Sequence, residues 1–224
     1  ARLGLPWKHL SHLCISHFHT DHVGDLASIL FALKHGLGGA REEPLTLLGP
    51  RGLGNHLNAL ARAHGPFIQD PGFPLMIREL APGESWEEEG SGFRIDTYAT
   101  HHTDGSLALR ISCRDGILGY TGDTGPAPGL GSFFQGCHIL ISECSHPDGQ
   151  GMATHLTPVE VTDLALRARP ELLVTVHSYP PLDPDTVPGL VANSGFPGRV
   201  LPGRDGLGLD LRSGAVEVLH TGHP

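Results

Sequence analysis

Residues 15–22, Ile15-Ser16-His17-Phe18-His19-Thr20-Asp21-His22, set three histidines and one aspartate within six positions directly behind a short apolar run. Neutral imidazoles and carboxylates are the donors that zinc and related divalent ions take. Residues 13–15 read as the end of a buried strand, and 25–35 place Leu26, Ile29, Leu30 and Leu33 at helical spacing before Gly36 stops the helix. The motif therefore falls on a strand-to-helix loop, where the backbone can bend enough for His17, His19, Asp21 and His22 to converge. Asp21 also fits a plainer role, capping that helix.

Working outward, other metal-capable side chains recur at the ends of apolar runs. A hairpin turning at residues 90–92 leads into the alternating Phe93, Ile95 and Thr97 and delivers His101 and His102. The strand at 117–121 runs into Gly122 and Asp123, the strand at 139–142 into Glu143, and the strand at 172–176 into His177. Thr157-Pro158-Val159-Glu160 is a capping box with proline at the first helical position, and Val161, Leu164, Ala165 and Ala168 give the helix an apolar stripe. Residues 45–48 read as a strand, 55–63 as a helix, 87–89 as a solvated acidic turn, and 207–211 and 215–219 as strands. "QDPGFP" and the Pro- and Gly-rich 179–206 read as loop.

Five strand ends thus present His17 and its neighbours, His102, Asp123, Glu143 and His177, and one shared site is the economical reading. No cysteine stands among these positions, so a closed structural zinc site is disfavoured and an open, catalytic one is implied. Of the 16 histidines, His9, His12, His35, His56, His64, His138, His146, His220 and His223 read as surface or satisfied core residues.

Composition bounds what this site can belong to. A chain of 224 residues suffices for one buried domain, expected over 1–224. With 39% hydrophobic and 17% charged residues, and no apolar run of spanning length, a soluble chain without membrane contact is expected. Ala1 stands first, with no basic start or apolar core of a secretory signal, so a chain beginning inside a longer protein is expected. Cys14, Cys113, Cys137 and Cys144 form no CxxC pair and read as buried thiols of a reducing, cytoplasmic setting. A formal charge of −9 disfavours a broad nucleic-acid-binding face and favours a small or locally gripped substrate.

His17-x-His19-x-Asp21-His22, then an isolated His, then "YTGDT" and "VTVH" together resemble the metallo-β-lactamase superfamily over nearly the whole chain. The resemblance implies an α/β fold, a four-layer αββα sandwich, holding two divalent metal ions, zinc in the first instance with manganese or iron able to substitute. By position, His17, His19 and His102 would bind one ion and Asp21, His22 and His177 the other, with Asp123 bridging. His102 is preferred to His101 because adjacent strand residues point to opposite faces, and because the resembling pattern places a Ser four residues after the ligand.

Within the superfamily, "ILISECSHPDGQGMATHLTPVEVTDLALRA" resembles the ribonuclease Z branch and its phosphodiesterase relatives, in which a Glu and a His cooperate in proton transfer. Glu143 and His155 occupy those positions, and with Asp21 they are the candidate catalytic residues. His155 could instead simply open its helix.

Two departures accompany the resemblance. Ribonucleases Z carry a long RNA-gripping arm between the counterparts of His102 and Asp123, whereas only residues 103–122 intervene here, so any such grip would come from a partner subunit in a homodimer. About a dozen residues precede the first motif, so the N-terminal strands of the fold are expected to be short or missing. The expected activity is metal-dependent hydrolysis of phosphodiesters, the substrate being a small phosphodiester or RNA. A same-fold hydrolase of lactones, aryl sulfates, thioesters or β-lactams is the alternative, and a catalytically silent scaffold subunit the lesser one. A flavodiiron-like redox role is disfavoured by His19, where those proteins place Glu.

Overall fold

The computed structural model describes residues 3–36 and 38–219; His220 and His223 lie outside them. The chain divides into two compact units at Ala81 and Pro82. No helix among the described residues is long and apolar enough to cross a membrane.

In the first unit, β1 (His12–Cys14), α1 (Thr20–Val23), α2 (Leu26–His35), β2 (Leu45–Pro50), α3 (Leu53–His64) and β3 (Leu75–Leu80) follow one another. The three strands pair in the order β1-β2-β3, all parallel, with His12 opposite Thr46 and Leu45 opposite Leu75. Parallel neighbours need crossover segments, which α2 and α3 provide. Leu26, Leu30 and Leu33 repeat at helical spacing on α2 and pack with Leu45, Leu47, Leu53, Leu57 and Ile68. β1, at one edge of this sheet, spans three residues, and β2 and β3 span six each.

The second unit contains β4 (Ser85–Glu88), β5 (Phe93–Ala99), β6 (Leu107–Cys113), β7 (Gly116–Tyr120), α4 (Leu130–Phe133), β8 (Ile139–Glu143), α5 (Pro158–Ala168), β9 (Leu172–Val176), α6 (Val187–Asn193), β10 (Arg199–Pro202), β11 (Leu207–Leu209) and β12 (Val216–Val218). Seven strands form one mixed sheet in the order β10-β9-β8-β7-β6-β5-β4, parallel from β10 to β7 and antiparallel beyond. The alternation of a strand splits β8 between two clusters. Leu140 packs with Phe134, Val161, Leu164 and Leu173 beneath the helices, while Ile139 and Ile141 join Val174, Leu207 and Leu209 on the side of the β11–β12 hairpin. Gly119 is required on β7, since a Cβ there would lie 2.7 Å from Phe134 and 2.8 Å from Leu140.

The register sets the site. Tyr120 pairs with Ile141, and Glu143 with Val176. The carboxyl ends of β7, β8 and β9 therefore lie side by side, where open α/β sheets place ligands. Asp123 and His177 follow two of these ends, and Glu143 closes the third.

Three details differ from the sequence expectations. β3 lies in a stretch with no clear alternation, where Met76 and Ile77 are exposed. The hairpin turn at 90–92 is present, but Glu87 and Glu88 belong to β4, and Glu87 sits 3.6 Å from Arg94. The segment 179–206 is not all loop, for α6 and β10 lie within it. Val187 and Val191 give α6 a buried face, and Pro188 sits in its first turn, where a missing N–H costs nothing.

The approach to β1 depends on a buried cation absent from the sequence reading. Arg41, 5% exposed, donates to the carbonyls of Lys8 at 2.5 Å, Leu10 at 2.6 Å, Glu43 at 2.8 Å and Pro44 at 3.2 Å. Its guanidinium also lies over the Phe73 ring at 5.1 Å. Arg41→Met keeps the bulk but strands these carbonyls, and a loss of about 1–3 kcal/mol is expected from urea unfolding. A midpoint equal to wild type would show that the clasp contributes nothing.

Candidate metal centre

In the second unit the site is built around Glu143, 1% exposed at the end of β8. A buried carboxylate is costly unless its oxygens are satisfied. Oε1 accepts the Thr124 N–H at 2.5 Å and His155 Nδ1 at 3.1 Å, while Oε2 accepts the Ser145 hydroxyl at 2.6 Å and the Leu156 N–H at 3.0 Å. The Glu143 N–H in turn donates to Thr121 Oγ1 at 3.0 Å. One carboxylate thereby fixes the loop after β7, the turn after β8 and the segment entering α5.

These bonds decide how the imidazoles stand. Ser145 has one hydroxyl proton and gives it to Glu143, so at 3.0 Å from His177 Nδ1 the same oxygen accepts, and Nδ1 carries the hydrogen. His102 Nδ1 lies 3.1 Å from the Thr154 carbonyl, which can only accept, so Nδ1 is again the donor. With Nδ1 engaged in this way, Nε2 of each ring turns toward Asp123 Oδ2, at 3.3 Å from His177 and 3.6 Å from His102. Two imidazole nitrogens gathered on one buried carboxylate oxygen are a donor set that a divalent ion could share. A ligating histidine whose other nitrogen donates to a carbonyl or hydroxyl is the usual arrangement around a bound metal.

The donor set of this unit therefore fits a divalent ion, and Asp123, His155 and His177 each offer an atom within 4.8 Å of the others. His177 also holds φ at +64°, uncommon outside glycine and of the kind that clusters at functional sites.

His102, and not its neighbour, turns toward Asp123. His101 is exposed, and its backbone bridges to Gly125, whose N–H meets the His101 carbonyl at 2.9 Å. The antiparallel β6 and β7, joined by a two-residue turn, fill the interval between His102 and Asp123, so no protruding arm lies there.

In the first unit, the loop leaving β1 brings the other predicted residues together. The His17 ring lies 4.8 Å from that of His19 and 4.1 Å from that of His22, and His22 Nε2 lies 3.4 Å from Asp21 Oδ2. His19, in extended conformation, is the N-cap of α1, and Asp21 stands in the first turn, so Asp21 is not the cap.

A family profile described as a beta-lactamase superfamily domain matches residues 3–178, crossing both units. The chain belongs to this family. Its relatives include the uncharacterized protein MJ1374 of Methanocaldococcus jannaschii, 28% identical over 217 residues, covering 93% of this chain and 77% of that protein. A ribonuclease Z of Mycobacterium sp. strain KMS is 24% identical over 204 residues, covering 82% of this chain and 71% of the relative. Among solved structures, the metallo-beta-lactamase fold protein YhfI from Bacillus subtilis superposes with a TM-score of 0.76 at 22% identity, covering 96% of this chain and 80% of that one. The fold is thus the α/β metallo-β-lactamase fold with mixed sheets and helices, and the chain lies in that superfamily of hydrolases near its ribonuclease Z branch.

For this member of the superfamily, sequence reasoning passed over Ser145, the hydroxyl that joins Glu143 to His177. It also passed over the close packing at Gly125. A Cβ at Gly125 would fall 1.8 Å from the Ala153 carbonyl oxygen, so only glycine lets the loop after Asp123 pass beneath the segment carrying His155. Gly125→Ala must push these segments apart, with an expected loss of about 1–3 kcal/mol in urea unfolding. Unfolding that matches wild type would contradict this packing.

Proposed function

We propose that this chain is a metal-dependent phosphodiester hydrolase whose two units act as one domain over residues 1–224. In this reading His17, His19 and His102 would hold one divalent ion and Asp21, His22 and His177 a second, with Asp123 shared. Zinc suits these donors, and manganese or iron could take its place. Two such ions, when bound, supply a nucleophilic water at neutral pH and neutralise charge on the phosphoryl oxygens.

The observation that carries the reading is the Glu143–His155 pair. Glu143 holds His155 by Nδ1 at 3.1 Å, so Nε2 is the nitrogen left for the reacting group. Cleaving a phosphodiester expels an alkoxide, which needs a proton, and an oriented imidazole is a suitable donor. A metal-storage protein has no use for such a pair. The names of the ribonuclease Z relatives point to the same bond type.

The substrate we propose is a small phosphodiester or a locally held RNA. The short β6–β7 hairpin and the charge of −9 offer little grip on a long polyanion, and a second copy of the chain would supply what further contact RNA needs. A reducing, cytoplasmic setting suits the cysteines, none of which forms a disulfide. Burial pushes the Cys14 and Cys137 thiols up to about 11 and Cys144 to about 12, so they are poor nucleophiles and poor metal ligands.

The test pairs two substrates on zinc- or manganese-loaded protein. Wild type is expected to cleave bis(p-nitrophenyl) phosphate, and Asp123→Ala to abolish turnover. His155→Ala is expected to cost about 10²–10⁴-fold on a dialkyl-type diester such as a dinucleotide, and far less where p-nitrophenolate leaves without a proton. Turnover of a lactone or thioester with none of either diester would overturn the reading.

A further inference from the structure

His155 stands closer to the other metal-capable side chains than the work of a proton donor requires. Its ring is stacked on that of His177 at 5.5 Å between centroids and 18° between planes, and meets that of His102 edge-on at 4.8 Å. Asp123, His155 and His177 each offer a ligand atom within 4.8 Å of the others, and their side chains are 4%, 13% and 14% exposed. One carboxylate supports both imidazoles from behind. Glu143 holds His155 Nδ1 at 3.1 Å and 3.3 Å from its two oxygens, and it takes the hydroxyl proton of Ser145, whose oxygen lies 3.0 Å from His177 Nδ1. A carboxylate or hydroxyl behind an imidazole is what orients histidines that ligate a metal. Two histidines and one carboxylate, with the remaining positions open, suit iron(II) and manganese as well as zinc.

From this we infer a further metal position built by the second unit alone: Asp123, His155 and His177 take the first divalent ion that the chain binds, and His155 is released when two ions are present. The inference rests on the phosphodiesterase reading above and concerns the regulation of its site. All three side chains are already held by the fold, so an ion taken there orders little else. The consequence follows from one atom. Nδ1 of His155 is given to Glu143, which leaves Nε2, and an imidazole nitrogen that ligates a metal carries no proton. His155 therefore serves either as ligand or as proton donor. With one ion per chain the donor is captured; with two, Asp123 and His177 enter the dinuclear set and His155 returns to the leaving group. Metal supply thus sets whether the proton donor is available.

The experiment titrates cobalt(II) into metal-free protein and follows its visible absorption. His155→Asn presents an amide N–H to Glu143 in place of Nδ1 and has nothing in place of Nε2, whereas His155→Ala removes both. Each variant is expected to weaken the first equivalent by at least about 100-fold, the upper end of what losing an outer partner alone costs, and to shift its absorption. The second equivalent is expected to change little. First-ion affinity and absorption equal to wild type in both variants would overturn the position. A loss in the alanine variant that asparagine restores would assign the effect to the Glu143 bond and overturn it equally.

Hydrolysis is read separately on the wild-type samples, with a dinucleotide and with bis(p-nitrophenyl) phosphate. Dinucleotide turnover is expected only beyond one equivalent, and full turnover at one equivalent would overturn the capture of His155. A first ion that depends on His155, with neither diester cleaved at two equivalents, would retain the position and remove the hydrolase reading. Cleavage at two equivalents with a first ion indifferent to His155 would do the reverse.

Discussion

The second unit depends on keeping one carboxylate dry. Glu143 is buried at a strand end, where an ionised group without partners would cost several kcal/mol. Four donors from three different segments offset that cost, and each donor therefore has its backbone fixed to within hydrogen-bond tolerance. Removing any one leaves part of a buried charge unsatisfied. The same bonds that make the carboxylate tolerable set the ring orientations of His155 and, through Ser145, of His177.

Strand direction supplies the rest. β7, β8 and β9 run parallel with their ends in register, so residues far apart in sequence, Asp123, Glu143 and His177, emerge at one edge. Parallel pairing obliges the chain to return through helices, and α5, begun by the Thr157–Glu160 capping box, is the return that carries His155 and Leu156 to Glu143. The left-handed backbone at His177 costs on the order of 1–3 kcal/mol. It persists in a surrounding of hydrogen bonds that leaves the chain no cheaper path.

Much of this was legible from the sequence because the signals were local. An apolar run ending in His, Asp or Glu announces both the strand and the side chain at its tip, and the capping box announced α5. The motif at 15–22 identified the family because four metal-capable residues were crowded into one loop. What was not legible was tertiary. Ser145 is an ordinary serine until its one proton is traced to Glu143, Arg41 looks like any surface cation until its carbonyl partners are known, and Gly125 matters only for the backbone that crosses it. β3 has no alternation to read, and α6 was hidden because Pro188 and Gly189 look like loop punctuation although the first turn of a helix accepts them.

The account stands or falls on whether the imidazole nitrogens gathered on Asp123 hold a metal ion. Zinc content of desalted, zinc-loaded protein, measured by inductively coupled plasma mass spectrometry, is the most direct test. About two ions per chain, falling in Asp123→Ala, is the result a dinuclear centre predicts. Protein that retains no zinc, or a variant that retains as much as wild type, would contradict it.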